Sequence, residues 1–225
     1  MTGLLKSLKS LFTGSVDDKL TELKDKRFSE VVFVVLDLET SGLDVGKDKI
    51  LSFGGVKIVG GQIQVHQSLE KVFRQKKDTI NENSEIHGLL NKEISEGDEK
   101  DEGLREVWDF IGDAIVVGHH VGFDYSMLDI AFQKYFKKGL DNLTLDTATL
   151  AIRLEKGALG DNFRKEEFGL DELCKRFEIE TFDRHTAPGD AFITAQLLLK
   201  LLALAEVNGI KTVGQLLEKR KSGLF

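Results

Sequence analysis

The chain has 225 residues, of which 41% are hydrophobic, and it carries a formal net charge of −7 at pH 7. This length and composition predict one packed globular domain with short appendages, and they exclude a protein that is basic throughout. No apolar run is long enough to cross a bilayer, and the lone cysteine, Cys174, excludes an internal disulfide and a zinc site built from thiolate pairs. The sequence therefore predicts a soluble, cytoplasmic protein without a transmembrane segment.

Residues 1–27 are expected to form an amphipathic helix and a connector, followed by the main domain at 28–207 and a helical extension at 208–225. Apolar residues recur at helical spacing from Leu4 to Phe12, and two lysines lie on the opposite side. Packing of this helix against its own domain is the simplest interpretation. Docking to a membrane surface, a polymerase or another protein is the alternative, because short basic amphipathic helices also bind such partners.

The first strand is predicted at 31–38, where a continuous apolar and β-branched run is typical of a central strand buried on both faces. Runs at 50–59 and 62–73 predict two further strands, and Gly60 and Gly61 between them favour a tight hairpin turn. The three strands are expected to form an antiparallel meander.

Helical and strand patterns alternate in the rest of the chain, which predicts an α/β fold with a mixed sheet flanked by helices. The last helix starts with Pro188 in its first turn and is apolar around most of its circumference, so we expect it to be largely buried. The predicted strands are 114–118 and 143–146, and the predicted helices are 84–90, 102–111, 123–137, 147–154, 170–177 and 188–207.

Two carboxylates end the first predicted strand. Because side chains alternate along a strand, Asp37 and Glu39 project from the same face, where they would repel each other. A divalent cation between them would remove that repulsion, and oxygen ligands suit Mg²⁺ or Mn²⁺. A strand end with both carboxylates in water explains the pair equally well.

Acidic residues also occur at the predicted starts of two helices. Asp124 opens the helix that follows the Gly118–Gly122 turn, and Asp190 lies in the first turn of the last helix, just after His185. Each aspartate taken alone is explained by capping and by the helix dipole, and the histidine alone is typical of a surface residue. The adjacent His119 and His120 are expected to point to opposite strand faces and to be structural.

Taken together, these segments resemble the His-containing branch of the DEDD exonucleases (DEDDh). That family includes the proofreading epsilon subunit of bacterial DNA polymerase III, ribonuclease T and oligoribonuclease. The similarity extends over residues 31–201, and its first motif, LDLETSGL, lies at 36–43. The five residues that match in order and local context are Asp37, Glu39, Asp124, His185 and Asp190.

The resemblance implies a ribonuclease-H-like fold, with a five-stranded mixed sheet, and hydrolysis of nucleic-acid 3′ ends to nucleoside monophosphates by two divalent cations, Mg²⁺ or Mn²⁺. In that scheme Asp37 bridges the two cations. Glu39 and Asp190 help to hold the cation that carries the nucleophilic water, and Asp124 holds the other. His185 accepts the proton of that water, a role suited to an imidazole near neutral pH.

The resemblance also implies a pocket for the terminal nucleotide, formed by the turn after the first strand and by a segment around residue 87. Backbone amides of the turn would bind the nucleotide, and an exposed leucine would wedge against its base. A plain strand-ending turn remains the alternative. The substrate-binding residues implied in this way are Thr40, Ser41, Gly42, Leu43, Glu82 and His87.

Competing functions differ in how well the sequence supports them. Neither a P-loop nor a dinucleotide-binding glycine motif is present in the chain, which argues against a nucleotide hydrolase of those classes. A catalytically silent scaffold on the same fold is opposed by the presence of all five motif residues. Similarity to the epsilon-like branch favours single-stranded or frayed DNA ends as the substrate, in replication or repair, with RNA trimming as the alternative.

Overall fold

A computed structural model describes residues 16–75, 97–156 and 164–218. The predicted N-terminal helix, the predicted helix at 84–90 and the residues after 218 lie outside this part. Five strands are present: β1 (Val32–Thr40), β2 (Ile50–Val59), β3 (Gln62–Val72), β4 (Ile115–Gly118) and β5 (Thr144–Asp146). The described helices are α1 (Val16–Leu23), α2 (Lys100–Ile111), α3 (Gly122–Phe136), α4 (Thr147–Lys156), α5 (Leu170–Arg176), α6 (Ala187–Val207) and α7 (Val213–Leu217).

The strands form one sheet in the order β3-β2-β1-β4-β5. Neighbouring strands are antiparallel from β3 to β1 and parallel from β1 to β5. This arrangement confirms the predicted fold class, a five-stranded mixed sheet in which a meander is followed by parallel strands. The first strand is longer than predicted, because the antiparallel ladder with β2 continues past residue 38 to Thr40.

Each face of the sheet is covered by its own hydrophobic core. Phe33 and Val35 of β1 belong to the core beneath α4, α5, α6 and α7, whereas Val34 and Leu36 belong to the core beneath α2 and α3. This alternation follows from the two-residue period of a strand, and it explains why β1 is apolar on both faces. The structure therefore fixes which helices can reach each side chain of β1.

Helix α6 packs against β1 and β2, and most of its residues are buried. At the other end of the molecule, the segment after α1 pairs with the start of α7. The amide of Val213 donates to the carbonyl of Lys26 at 2.9 Å, and that of Gly214 donates to the carbonyl of Lys24 at 2.8 Å. Within the described part of the chain, no helix combines the length and the apolar character that a bilayer span requires.

Candidate active site

Strand β1 places two carboxylates on the face that α6 covers. In the ladder with β2, Asp37 is opposite Gly54 and Glu39 is opposite Ser52. By the alternation of the strand, both side chains continue the row that begins with the buried Phe33. Asp37 is partly buried and Glu39 is buried, so the pair lies inside the strand instead of at a solvated strand end.

The first turn of α6 brings a third carboxylate to this face. Thr186 is the N-cap residue of the helix: its hydroxyl accepts a hydrogen bond from the amide of Gly189 at 3.2 Å and donates to the carbonyl of Asp183 at 2.7 Å. Asp190 follows in the first turn and is buried. Carboxylate oxygens of Asp37, Glu39 and Asp190 all lie within 4.8 Å of one another.

Asp124 approaches the cluster from α3, on the other side of β1. It is buried in the first turn of that helix, and backbone hydrogen bonds from its own residue and from Leu38 act on its carboxyl group. Its charge acts on both Asp37 and Glu39, although it lies outside the 4.8 Å group. The structure therefore brings together the four carboxylates that the sequence singled out.

Burial and mutual repulsion disfavour ionisation of these acids. Burial, followed by the charges of Asp124, Asp190 and Glu39, raises the pKa of Asp37 well above its usual value. Burial and the charges of Asp190 and Asp124 raise the pKa of Glu39 to about 8, and burial raises the pKa of Asp124 to about 7. A set of crowded, buried oxygen donors fits a hard divalent cation, because bound positive charge would favour their ionised form.

The guanidinium of Arg184 partly compensates this negative charge. Arg184 donates from Nε to Asp171 at 2.7 Å and from Nη1 to Asp190, and its positive charge lowers the pKa of Asp37 and Glu39. The neighbouring His185 lies in the turn before α6, is exposed, and has a positive φ of 63°. Its charge acts on Asp171, and among the described residues it is not a member of the 4.8 Å carboxylate group. Its role as a base stays a prediction.

The turn after β1 is ordered by one aspartate. Asp48 accepts hydrogen bonds from the Ser41 hydroxyl and from the amide of Asp44, both at 2.8 Å. A β-carbon on Gly42 would lie 2.5 Å from Oδ2 of Asp48, so Gly42 leaves room for this carboxylate. The Ser41 amide donates to the carbonyl of Lys49 at 3.0 Å and is thus used within the loop.

The remaining substrate-binding predictions stay untested. The Thr40 hydroxyl donates to the carbonyl of Gly42 at 2.8 Å, and Leu43 is 86% exposed at the tip of the turn, where a wedge would have to be. Glu82 and His87 lie outside the described residues.

The prediction that His119 and His120 point to opposite faces is wrong. β4 ends at Gly118, so the strand alternation no longer applies, and the two rings lie with their centroids 4.7 Å apart. Nδ1 of His119 lies 2.9 Å from the hydroxyl of Thr147. Burial and the charge of His120 lower the pKa of His119 to about 4, which is consistent with the structural role expected for it.

Comparison with known proteins identifies the family. A family model described as an exonuclease matches residues 34–198, a range that includes all four carboxylates and His185. The chain belongs to this exonuclease family. The membership confirms the resemblance seen in the sequence and makes the chain a member of a family of nucleases.

Two bacterial relatives are named as DNA polymerase III proteins. The PolC-type DNA polymerase III of Thermotoga maritima is 31% identical over 197 residues, which cover 88% of this chain and 14% of the polymerase. The epsilon subunit of DNA polymerase III from Aquifex aeolicus is 31% identical over 176 residues, which cover 76% of this chain and 80% of the subunit. This chain therefore spans only about a seventh of the PolC-type polymerase but most of the epsilon subunit.

Solved structures show the same fold. E. coli exonuclease I in complex with a dT13 oligonucleotide superposes with a TM-score of 0.64 at 16% identity, covering 80% of this chain and 42% of that one. The apo form of exonuclease I gives a TM-score of 0.63 at 18% identity, covering 84% of this chain and 44% of that one. At this level of identity the likeness establishes the fold alone.

Three polar residues that contribute to the site were missed by the sequence reasoning. Arg184 contacts Asp190, Asp48 orders the turn after β1, and Asp146 accepts hydrogen bonds from the amides of Val121 and Thr149 at 2.9 and 2.8 Å. Asp146 thereby joins the end of β5 to the turn that precedes Asp124. Its position just before a predicted helix was a signal for capping, but the contact with a distant turn has no local signature.

Proposed function

We propose that this chain is a metal-dependent 3′-to-5′ exonuclease that releases nucleoside monophosphates from the 3′ ends of DNA. The observation that carries the proposal is the convergence of Asp37, Glu39 and Asp190 within 4.8 Å, next to a fourth buried carboxylate, Asp124. Family membership supports the nuclease chemistry.

Each residue of the site has its own role in the proposed reaction. Asp37 would be a ligand to both divalent cations, Glu39 and Asp190 would hold one of them, and Asp124 would hold the other. When bound, the cations supply Lewis acidity, which lowers the pKa of the attacking water and stabilises the leaving 3′ oxygen. The exposed imidazole of His185, held in the turn before α6, accepts the proton from that water.

DNA is favoured as the substrate by the relatives. The two bacterial relatives are named as DNA polymerase III proteins, and the superposed exonuclease I holds a deoxyribonucleotide oligomer. RNA trimming by the same centre is the alternative activity, and a catalytically silent scaffold is the alternative class.

A polymerase is the proposed protein partner, because the relatives belong to replicative polymerases or are one of their subunits by name. The amphipathic segment at residues 1–12 is the proposed docking element, and 28–207 is the proposed catalytic unit. Removal of residues 2–12 should leave hydrolysis unchanged and abolish co-purification with a replicative polymerase. Retained co-purification would contradict the docking role of this segment.

The test of the activity uses DNA and RNA oligonucleotides of one sequence, labelled at the 5′ end, with Mg²⁺ or Mn²⁺. We expect a ladder of products shortened from the 3′ end, with DNA degraded at least as fast as RNA. Asp190→Asn should remove the activity because a ligand loses its charge, whereas Asp109→Asn, an exposed acidic residue on α2, should not. Faster degradation of RNA would favour the trimming alternative, and no degradation with either cation would favour the scaffold.

A further inference from the structure

A cavity of about 250 Å³ lies on the face of the sheet that α2 and α3 cover. Its apolar floor includes Phe73, Leu104 and Met127, all of which are buried. Its walls come from the β1–β2 loop, the start of α2 and the second half of α3. The cavity thus shares α3 with the carboxylate site, and its loop directly follows β1, although none of the four carboxylates lines it.

Four lysines line this cavity, and Lys47 is paired with Asp44 at 3.0 Å, which leaves Lys49, Lys100 and Lys134. Burial, followed by the positive charges of Lys49 and Lys134, lowers the pKa of Lys100 to about 8. Within the described ranges, no ion pair joins any of these three lysines to a carboxylate. Asp48 also lines the cavity, but its carboxylate accepts hydrogen bonds from Ser41 and Asp44. The cluster is therefore a site where a bound anion would relieve repulsion among like charges.

An aromatic ring completes the wall of the cavity. Tyr135 is 38% exposed, and the Nζ atom of Lys134 lies 5.5 Å from the centre of its ring. The neighbouring Ile130 is 46% exposed and lines the same space. Cationic groups beside an exposed ring are the combination that single-stranded nucleic acids bind, with phosphates on the cations and bases against the ring.

The position of the cavity relates it to the path of a strand. Helix α3 carries Asp124 in its first turn and Lys134 ten residues later, which corresponds to about 15 Å along the helix axis. Ser41, at the end of β1, is joined to Lys49 by a backbone hydrogen bond of 3.0 Å. A polynucleotide whose 3′ end occupies the carboxylate site must continue across a neighbouring surface, and α3 and the β1–β2 loop lead from that site to this cavity.

We propose that this cavity binds the single strand on the 5′ side of the terminal nucleotide, with Lys49, Lys100 and Lys134 on its phosphates and Tyr135 against a base. The proposal rests on the proposed exonuclease function and deepens it, because it assigns a second contact region for the same substrate. An acidic peptide is the other polyanion that would satisfy the lysines, but it offers no base to the exposed ring.

The test compares two triple variants with the same change in net charge. One is Lys49→Gln, Lys100→Gln and Lys134→Gln. The control is Lys165→Gln, Lys200→Gln and Lys211→Gln, three exposed lysines on elements that cover the opposite face of the sheet. Binding of a 5′-labelled oligothymidylate is measured without a catalytic cation over a range of KCl concentrations. Hydrolysis of the 4-nitrophenyl ester of thymidine 5′-phosphate, a single nucleotide, is measured in parallel.

We expect the cavity variant to bind the oligonucleotide at least about tenfold more weakly at low salt. For this variant, the slope of log affinity against log salt concentration should be shallower by about 2. Each lost phosphate contact on a single strand contributes roughly 0.7 to that slope. Hydrolysis of the ester should be unchanged, because one nucleotide occupies only the carboxylate site. Oligonucleotide affinity and salt dependence equal to those of the control variant would overturn the proposal.

The two proposals fail in different ways. A wild-type protein that hydrolyses neither the ester nor the oligonucleotide would contradict the exonuclease function, while the binding measurement would still report on the cavity. The single variants Lys134→Gln and Tyr135→Leu, both at exposed positions, serve if the triple variant does not fold. Each should weaken binding of the oligonucleotide, and Tyr135→Leu should do so without changing the salt dependence. Binding of poly-glutamate in place of the oligonucleotide would also overturn the proposal.

Discussion

The backbone of Gly54 on β2 packs directly against the backbone of Ala187 at the start of α6. A β-carbon on Gly54 would lie 2.2 Å from the carbonyl carbon of Ala187, far inside van der Waals contact. Gly54 is also the residue opposite Asp37 in the β1–β2 ladder. The missing side chain at this position therefore lets the first turn of α6 approach the sheet and carry Asp190 to Asp37 and Glu39.

Gly54→Ala should consequently impair both folding and the carboxylate site. Because the added methyl group would meet backbone atoms that cannot rotate away, we expect a loss of about 3 kcal/mol in the free energy of unfolding, typical of an overpacked core. Nuclease activity should fall further than this loss of stability explains, since Asp190 would be displaced. The matched control is Gly122→Ala, where a β-carbon would meet nothing within 4 Å. Equal melting temperatures for the two variants would contradict the prediction.

The stability of the metal-free protein should depend on pH because of the carboxylates. A carboxyl group whose pKa is raised by folding binds more protons in the folded state, so its contribution is fully present below the unfolded pKa and is lost as pH rises through the folded pKa. The pKa of Glu39 rises from 4.5 to about 8 and that of Asp124 to about 7. Metal-free protein should therefore lose stability from these groups as the pH rises from the unfolded pKa of Asp124, 3.8, to the folded pKa of Glu39, about 8.

Addition of Mn²⁺ should reverse this trend, because cations bind the ionised carboxylates. We expect a larger rise in melting temperature at pH 8 than at pH 5, measured by thermal unfolding in chelator and in Mn²⁺. Glu39→Gln removes one titrating group and should make the metal-free pH dependence shallower. A rise in melting temperature that is independent of pH would contradict the assignment of this cluster as a cation site.

Asp48 is expected to position the turn that carries Ser41, Gly42 and Leu43. Asp48→Ala removes the acceptor for the Ser41 hydroxyl and the Asp44 amide, so we expect a severalfold higher KM for an oligonucleotide with a smaller change in kcat. Asp48→Asn keeps one acceptor oxygen and should restore part of the loss. Asp44→Ala is the control, because its carboxylate contacts Gly46 and Lys47 and not Ser41. Steady-state kinetics that show a lower kcat at unchanged KM would contradict this role.

Asp146 should matter for the placement of Asp124 as well as for stability. Asp146→Ala removes the acceptor for two amides, one of them at the first turn of α4, and should cost about 1 kcal/mol as a lost helix cap. Thr212→Ala removes a comparable cap at α7, away from the carboxylates. Melting temperatures should fall by similar amounts in both variants, whereas only Asp146→Ala should lower kcat. Full activity of Asp146→Ala would show that the turn before α3 is held by other contacts.

Much of this architecture is readable from the sequence. The hydrophobic run before Asp37, the Gly60–Gly61 turn and the apolar last helix predict elements that the structure contains within a few residues, because the periods of strands and helices are local properties. The order of the three acidic motifs was sufficient to identify the family. Alternation along β1 also placed Asp37 and Glu39 on one face before any tertiary contact was known.

Other features depend on contacts between distant segments. The predicted strand ends at residue 38, where the apolar run stops, whereas the ladder with β2 continues through Glu39 to Thr40. The expected opposite orientation of His119 and His120 failed because β4 ends at Gly118, the predicted residue, so that strand alternation does not continue into the two histidines. For β1, pairing with a neighbouring strand, which no local pattern encodes, decides where the strand ends.

The sequence by itself determined the α/β class, the family and the identity of the acidic residues, since these follow from periodicity and from the order of motifs. Only the tertiary structure decided that Asp190 meets β1 through a close approach at Gly54, and that Asp146 and Asp48 hold the two turns beside the site. The same holds for the convergence of Lys49, Lys100 and Lys134 on one cavity. The physical reason is that side chains far apart along the chain become neighbours only when helices pack on the sheet. Their pKa values and their mutual repulsion then depend on the burial and the distances that this packing sets.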